Sequence, residues 1–104
     1  MNSDPSLHQS WWLATLGHIL HWARLGEREG GTGEVLDHNG HLHTYDSEDT
    51  ARAMLMDAGF VEFDGLDEDD ALERGFSLDE IAPPRADSDE ELVGQMTMNL
   101  GRRA

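Results

Sequence analysis

The chain has 104 residues, a formal net charge of −15 from 22 acids against seven cations, and no cysteine. That length suits one domain with a modest core. The missing thiol excludes a disulfide framework, thiol catalysis and thiolate zinc sites. The charge argues against direct binding to phosphate backbones or to an anionic membrane surface.

Every cation is an arginine, and the acids are unevenly spread: Asp46 to Glu91 holds 17 acids and three arginines. Such a field steers a basic partner toward the chain. It also keeps a small protein soluble, which is the plainer explanation of excess charge.

Ser6-Leu7-His8-Gln9 matches a capping box and predicts a helix over about residues 6–25. Its main stripe would be Trp12, Leu16, Ile19, Leu20 and Ala23, with Trp11, His18 and Trp22 on a second, aromatic flank. Tryptophan is favoured at interfaces, so this flank is a candidate surface for a homodimer or for partner docking. The run from Trp11 to Leu25 is too short and too polar to span a bilayer. No basic segment precedes the apolar stretch, so no secretory signal and a cytoplasmic location are expected. Residues 27–33, EREGGTG, read as a linker.

Residues 34–64 form the expected core. Asp37-His38-Asn39-Gly40 is the signature of a type I turn followed by a left-handed glycine bulge. A hairpin closed this way sets Leu36 opposite Leu42 on one face, and Val35, Asp37, His41, His43 and Tyr45 on the other. Asp46 or Ser47 caps the helix that follows, in which Ala51, Met54, Leu55 and Ala58 form one stripe. Gly59 stops it, Phe60 folds back on Leu55, and residues 60–63 return as a third strand.

Residues 65–82 form an acidic helical segment. A short helix is expected from Asp67 to Gly75, Phe76 repeats the Gly-Phe stop, and Ser77-Leu78-Asp79-Glu80 is a further capping box before Pro83-Pro84. Ser88-Asp89-Glu90-Glu91 opens a C-terminal helix over residues 88–101, with Leu92, Val93, Met96 and Leu100 on one stripe. Gly101 would stop it, and Arg102 and Arg103 would suit its negative end.

The six histidines fall into two groups: His8, His18 and His21, then His38, His41 and His43. Imidazoles beside a carboxylate can hold zinc or nickel, but the spacing matches no closed zinc motif, and a polar sheet face explains it as simply. The acidic run from Asp64 to Asp70 has Ala71 at the fifth position of a calcium loop and lacks the required glycine. Gly30-Gly31-Thr32-Gly33 has no lysine after it and is not a phosphate cradle. No nucleophile stands beside a base in any recognisable motif. No catalytic residue, cofactor or resident metal is therefore expected.

The pattern running from His43-Thr44-Tyr45-Asp46-Ser47-Glu48-Asp49 through Asp57-Ala58-Gly59-Phe60 to Pro83-Pro84 resembles small acidic proteobacterial proteins of unknown function. The resemblance covers roughly residues 34–84 and implies no activity.

The expectation is an α+β fold: a small antiparallel β-hairpin or three-stranded sheet packed against helices, with helices at both termini. The expected function is a non-catalytic interaction module that binds a basic protein and self-associates. Its candidate contacts are Trp11, Trp12, His18 and Trp22, with the acids Asp64, Asp67, Glu68, Asp69, Asp70 and Glu73. Two alternatives stand beside it: a nucleic-acid mimic that inhibits a DNA-binding protein, and a small metal- or ligand-binding domain using the hairpin histidines.

Overall fold

The structure is a computed structural model describing residues 6–100, with side chains described from residue 9 onward. The fold is α+β, an antiparallel sheet with helices on both of its faces. The first 23 described residues are not a helix. Strands β1 (Ser6–Leu16) and β2 (Ile19–Arg28) form a long antiparallel hairpin in which Trp12 faces Ala23 and Leu13 faces Trp22. Gly17 has φ of 62° and His18 does not share the left-handed region, so the turn is of the kind that puts glycine first of its two central residues. The expected linker at 27–33 is the end of β2, a turn with two left-handed glycines, Gly30 and Gly31, and the start of β3.

Strands β3 (Gly33–Leu36) and β4 (Leu42–Tyr45) continue the sheet in the order β4-β3-β2-β1, and β5 (Val61–Glu62) adds to the far edge of β1. Strand β6 (Thr97–Asn99) pairs with Ile19–His21, on the edge of β2 that β3 occupies farther along. Among the described residues the sheet therefore has six strands, not three. The return strand exists, but it pairs with β1 rather than with the 33–45 hairpin.

The expected register of that hairpin is the one observed, with Leu36 opposite Leu42 and Val35 opposite His43. Gly40, at φ of 87°, closes the turn, and its N–H donates to the Asp37 carbonyl at 3.0 Å. Helix α1 (Glu48–Asp57) is capped by Ser47, whose hydroxyl accepts from the Thr50 N–H at 3.1 Å. It ends in a Schellman motif: Phe60 N–H donates to Leu55 at 2.9 Å and Gly59 N–H to Met56 at 3.0 Å. Helix α2 (Glu68–Glu73) is capped by Asp67 and ends in the same way at Gly75 and Phe76.

The C-terminal helix is short. α3 (Asp89–Val93) starts at the Ser88 cap but stops at Gly94, and the chain then turns into β6. Glycine is a poor helix former, and the Met96 carbonyl is taken by the Trp22 N–H at 2.9 Å, which ties this segment to the sheet. The expected stop at Gly101 and the arginines at 102 and 103 lie outside the described residues.

Because successive strand residues face opposite ways, β1 and β2 feed two separate cores. On one face Leu13, Leu20, Trp22 and Leu36 pack beneath Ala71 of α2, Phe76, Ile81, Leu92 of α3 and Met96. On the other, Trp12, Ala23, Leu25 and Val35 pack beneath Ala51 and Leu55 of α1, with Phe60 and Tyr45 at the margin. Of the stripe expected on α1, only Ala51 and Leu55 are buried; Met54 is 47% exposed. α1 approaches closely at Gly33, where an added Cβ would lie 2.7 Å from the Ser47 carbonyl oxygen.

Candidate functional site

The fold divides the expected contact residues into two sets. Trp12 and Trp22 are 2% and 1% exposed and lie on opposite faces of the sheet. Trp22 meets Trp11 edge-on at 5.9 Å and Phe63 at 5.5 Å, while the Trp12 indole N–H donates to Ser10 at 2.9 Å. Trp12 and Trp22 are therefore core residues, Trp11 is half-buried beside Trp22, and the terminal helix expected to present them as a docking flank is a strand hairpin instead. His18 is an exposed turn residue whose carbonyl accepts from the Leu100 N–H at 2.6 Å.

The acidic set lies in one layer. α2, the 3₁₀ turn Leu78–Glu80 and α3 all cover the face of the sheet that contains Trp22. Asp64 to Glu91 holds twelve acids and two arginines, and all twelve acids are exposed. Asp64 belongs to the 3₁₀ turn Phe63–Gly65, and Asp69, Asp70 and Glu73 lie on α2.

Two of the expected contacts have structural work as well. The Asp67 carboxylate accepts from the Asp70 N–H at 2.9 Å. Glu68 accepts from the Ser77 hydroxyl at 2.9 Å and from the Leu78 N–H at 3.1 Å, which pins the next turn to α2. An ion pair ties the layer to the sheet, Arg24 to Asp89 at 3.0 Å, and the Asp89 side chain is 61% exposed.

A second constellation is the tip of the β3–β4 hairpin. Asp37 Oδ1 accepts from the N–H groups of Asn39 at 2.9 Å and His41 at 3.0 Å. Its other oxygen, Oδ2, stands 2.9 Å from His43 Nε2 and 4.0 Å from His41 Nδ1. Partial burial works to raise the Asp37 pKa, but hydrogen bonds from His43 and from the two backbone amides outweigh it and hold the carboxyl below its ordinary value. One donor atom from each of Asp37, His41 and His43 lies within 4.8 Å of the others.

In the same turn, His38 stacks on His21 of β2 with ring centroids 3.9 Å apart, and the Nδ1 atoms of both find no protein partner. Burial, then the charge His38 would carry, lowers the His21 pKa. Sequence reasoning placed Asp37, His41 and His43 on one hairpin face but missed the His21–His38 stack, which depends on β2 being a strand. The His8 side chain lies outside the described ones.

Between this hairpin and α3 runs a groove of about 400 Å³ lined by Leu36, Gly40, Leu42, Val93 and the acids Asp89 and Glu90. Among the described residues, no helix is long and apolar enough to cross a membrane. No protein-family model matches the chain, and no curated protein or solved structure is significantly similar to it.

Proposed function

We propose that the chain is a non-catalytic, cytoplasmic interaction module whose acidic layer binds the basic surface of a protein partner. The observation that carries this reading is the set of twelve exposed acids between Asp64 and Glu91, gathered over one face of the sheet. Charge needed only for solubility has no reason to gather on one layer. A concentrated layer raises the association rate of a cationic partner and loses that effect as salt screens it, over about 8 Å at physiological ionic strength. α2 and α3 are anchored by Ala71 and Leu92, so the acids stand on packed elements.

The test is capture from native cytosol on the immobilised chain at low salt, followed by a salt step. The reading requires a basic protein retained in stoichiometric amount and released between low and physiological salt. Retention that ignores salt contradicts it. A nucleic-acid-binding protein in the eluate, displaced by DNA, would favour the mimic. Sedimentation of the isolated chain reads self-association separately, on a surface other than the buried tryptophans.

A further inference from the structure

We propose that Asp37, His41 and His43 form an open site for a divalent transition-metal ion of the zinc class. The site is distinct from the acidic layer and does not depend on the interaction reading.

The argument starts from the turn. Asp37 is held by its own backbone neighbours: Oδ1 takes the Asn39 and His41 N–H groups, and Gly40, in the left-handed region, closes the loop beneath it. That arrangement leaves Oδ2 as the oxygen that faces the imidazoles. His41 and His43 are alternate residues where β4 begins, so both side chains leave the same face as Asp37. Their rings stand at 89° with centroids 6.3 Å apart, so the two nitrogens approach the carboxylate from different directions. The lining is thus two imidazole nitrogens and one carboxylate oxygen from a single tight hairpin.

The chemistry selects the ion. Two imidazoles and one carboxylate form a borderline donor set suited to zinc, nickel or copper, and poorly suited to magnesium or calcium, which take oxygen ligands. Zinc–nitrogen and zinc–oxygen lengths of about 2.0–2.2 Å place tetrahedral donors about 3.3 Å apart. The two carboxylate–imidazole separations, 2.9 and 4.0 Å, bracket that value and all three donors lie within 4.8 Å of one another, so side-chain shifts of about 1 Å bring them to ligating distance. The His41 and His43 side chains are 70% and 45% exposed, so the remaining coordination positions open to water. Three protein ligands with an open position is the arrangement of reactive rather than purely structural zinc.

The test is titration of the full chain with zinc chloride, followed by calorimetry and by the ring signals of the histidines, with magnesium chloride as control. The site predicts one tight equivalent of zinc that shifts the ring signals of His41 and His43 together. Two variants remove a ligand without disturbing the fold. His41→Ala truncates an exposed ring, and Asp37→Asn keeps the acceptor for the two backbone N–H groups while neutralising the carboxylate. Each weakens zinc binding at least tenfold, since disturbing even a ligand's supporting partner costs about that much. His18→Ala, on the other exposed turn, leaves it unchanged. Absence of a tight equivalent in the wild type, equal affinity in the ligand variants, or an equal response to magnesium overturns the proposal.

Discussion

Two layers cover the sheet, and their acids are held differently. Beneath α1, Arg52 donates to Glu62 at 3.1 Å and to Glu48 at 3.0 Å, and lies 5.6 Å from the centre of the Trp12 ring. Burial works against its charge, but the two carboxylates outweigh this and raise its pKa. On the opposite face, the two arginines of the layer share it with twelve acids, and among the described residues Arg24 of β2 pairs with Asp89. On the α1 side Glu48 and Glu62 are thus part of the packing, and three acids, Asp46, Asp49 and Asp57, stay exposed. Charge on the α2–α3 side is left facing water, where a partner could meet it. What distinguishes the layers is the number of exposed acids, three around α1 (Asp46, Asp49 and Asp57) against twelve between Asp64 and Glu91, since α1 and α2 are each anchored by apolar residues and closed by a Gly-Phe stop.

The apolar cores should be the costliest to break, and about equally so on both faces. Trp12→Ala and Trp22→Ala should each cost about 3–5 kcal/mol, read by chemical denaturation. A loss below about 1 kcal/mol at either position would mean that it is an exposed contact after all. Next comes the seat of α1. Gly33→Ala puts a Cβ 2.7 Å from the Ser47 carbonyl oxygen and 2.9 Å from the Ala51 Cβ, so α1 must shift. The expected loss is about 1–3 kcal/mol, as for other overpacked sites.

The charge comparison itself is sharpened by two arginines. Arg52→Ala should cost about 1 kcal/mol, because the pairs are partly exposed but the stem also covers Trp12. Arg24→Ala should cost under about 0.5 kcal/mol, since Asp89 is largely solvated. Equal losses would erase the distinction between the layers.

The smallest effect is a pH dependence. His21 has its folded pKa lowered from 6.5, so between that value and the folded one the unfolded chain binds a proton that the folded chain refuses. The sign follows: this contribution is neutral above pH 6.5 and destabilising as pH falls through the window. Melting temperature should therefore drop on mild acidification, and His21→Gln should flatten that drop.

Local grammar was legible from the Asp37 turn to the Ser88 cap. The Asp37–Gly40 turn, the Leu36–Leu42 register, the caps at Ser47, Asp67, Ser77 and Ser88, and both Gly-Phe stops are each decided by a few adjacent residues. The N-terminal hairpin was not legible as such, for a physical reason. Both faces of β1 and β2 are buried, so Trp11, Trp12 and Leu13 are apolar in succession and the period of two that marks a strand disappears. What remains fits a helical stripe, and Ser6-Leu7-His8-Gln9 imitates a cap. The available signal was Gly17 in mid-segment, between runs rich in tryptophan, which suits a two-residue turn better than a helix interior. At the other end, Gly94 marked the break that leaves α3 five residues long. The triad at the hairpin tip could be read because it is local. The gathering of acids on one face could not, because it depends on which side of the sheet α2 and α3 close.

The central claim is that the placement of the acids matters, and not their number. Two variants with equal change in charge test it. One neutralises the layer (Asp69→Asn, Asp70→Asn and Glu73→Gln). The other neutralises three exposed acids at and around α1 (Asp46→Asn, Asp49→Asn and Asp57→Asn). Salt-dependent capture of a basic partner should be lost in the first and kept in the second. Equal loss in both, or retention in the first, would contradict the account.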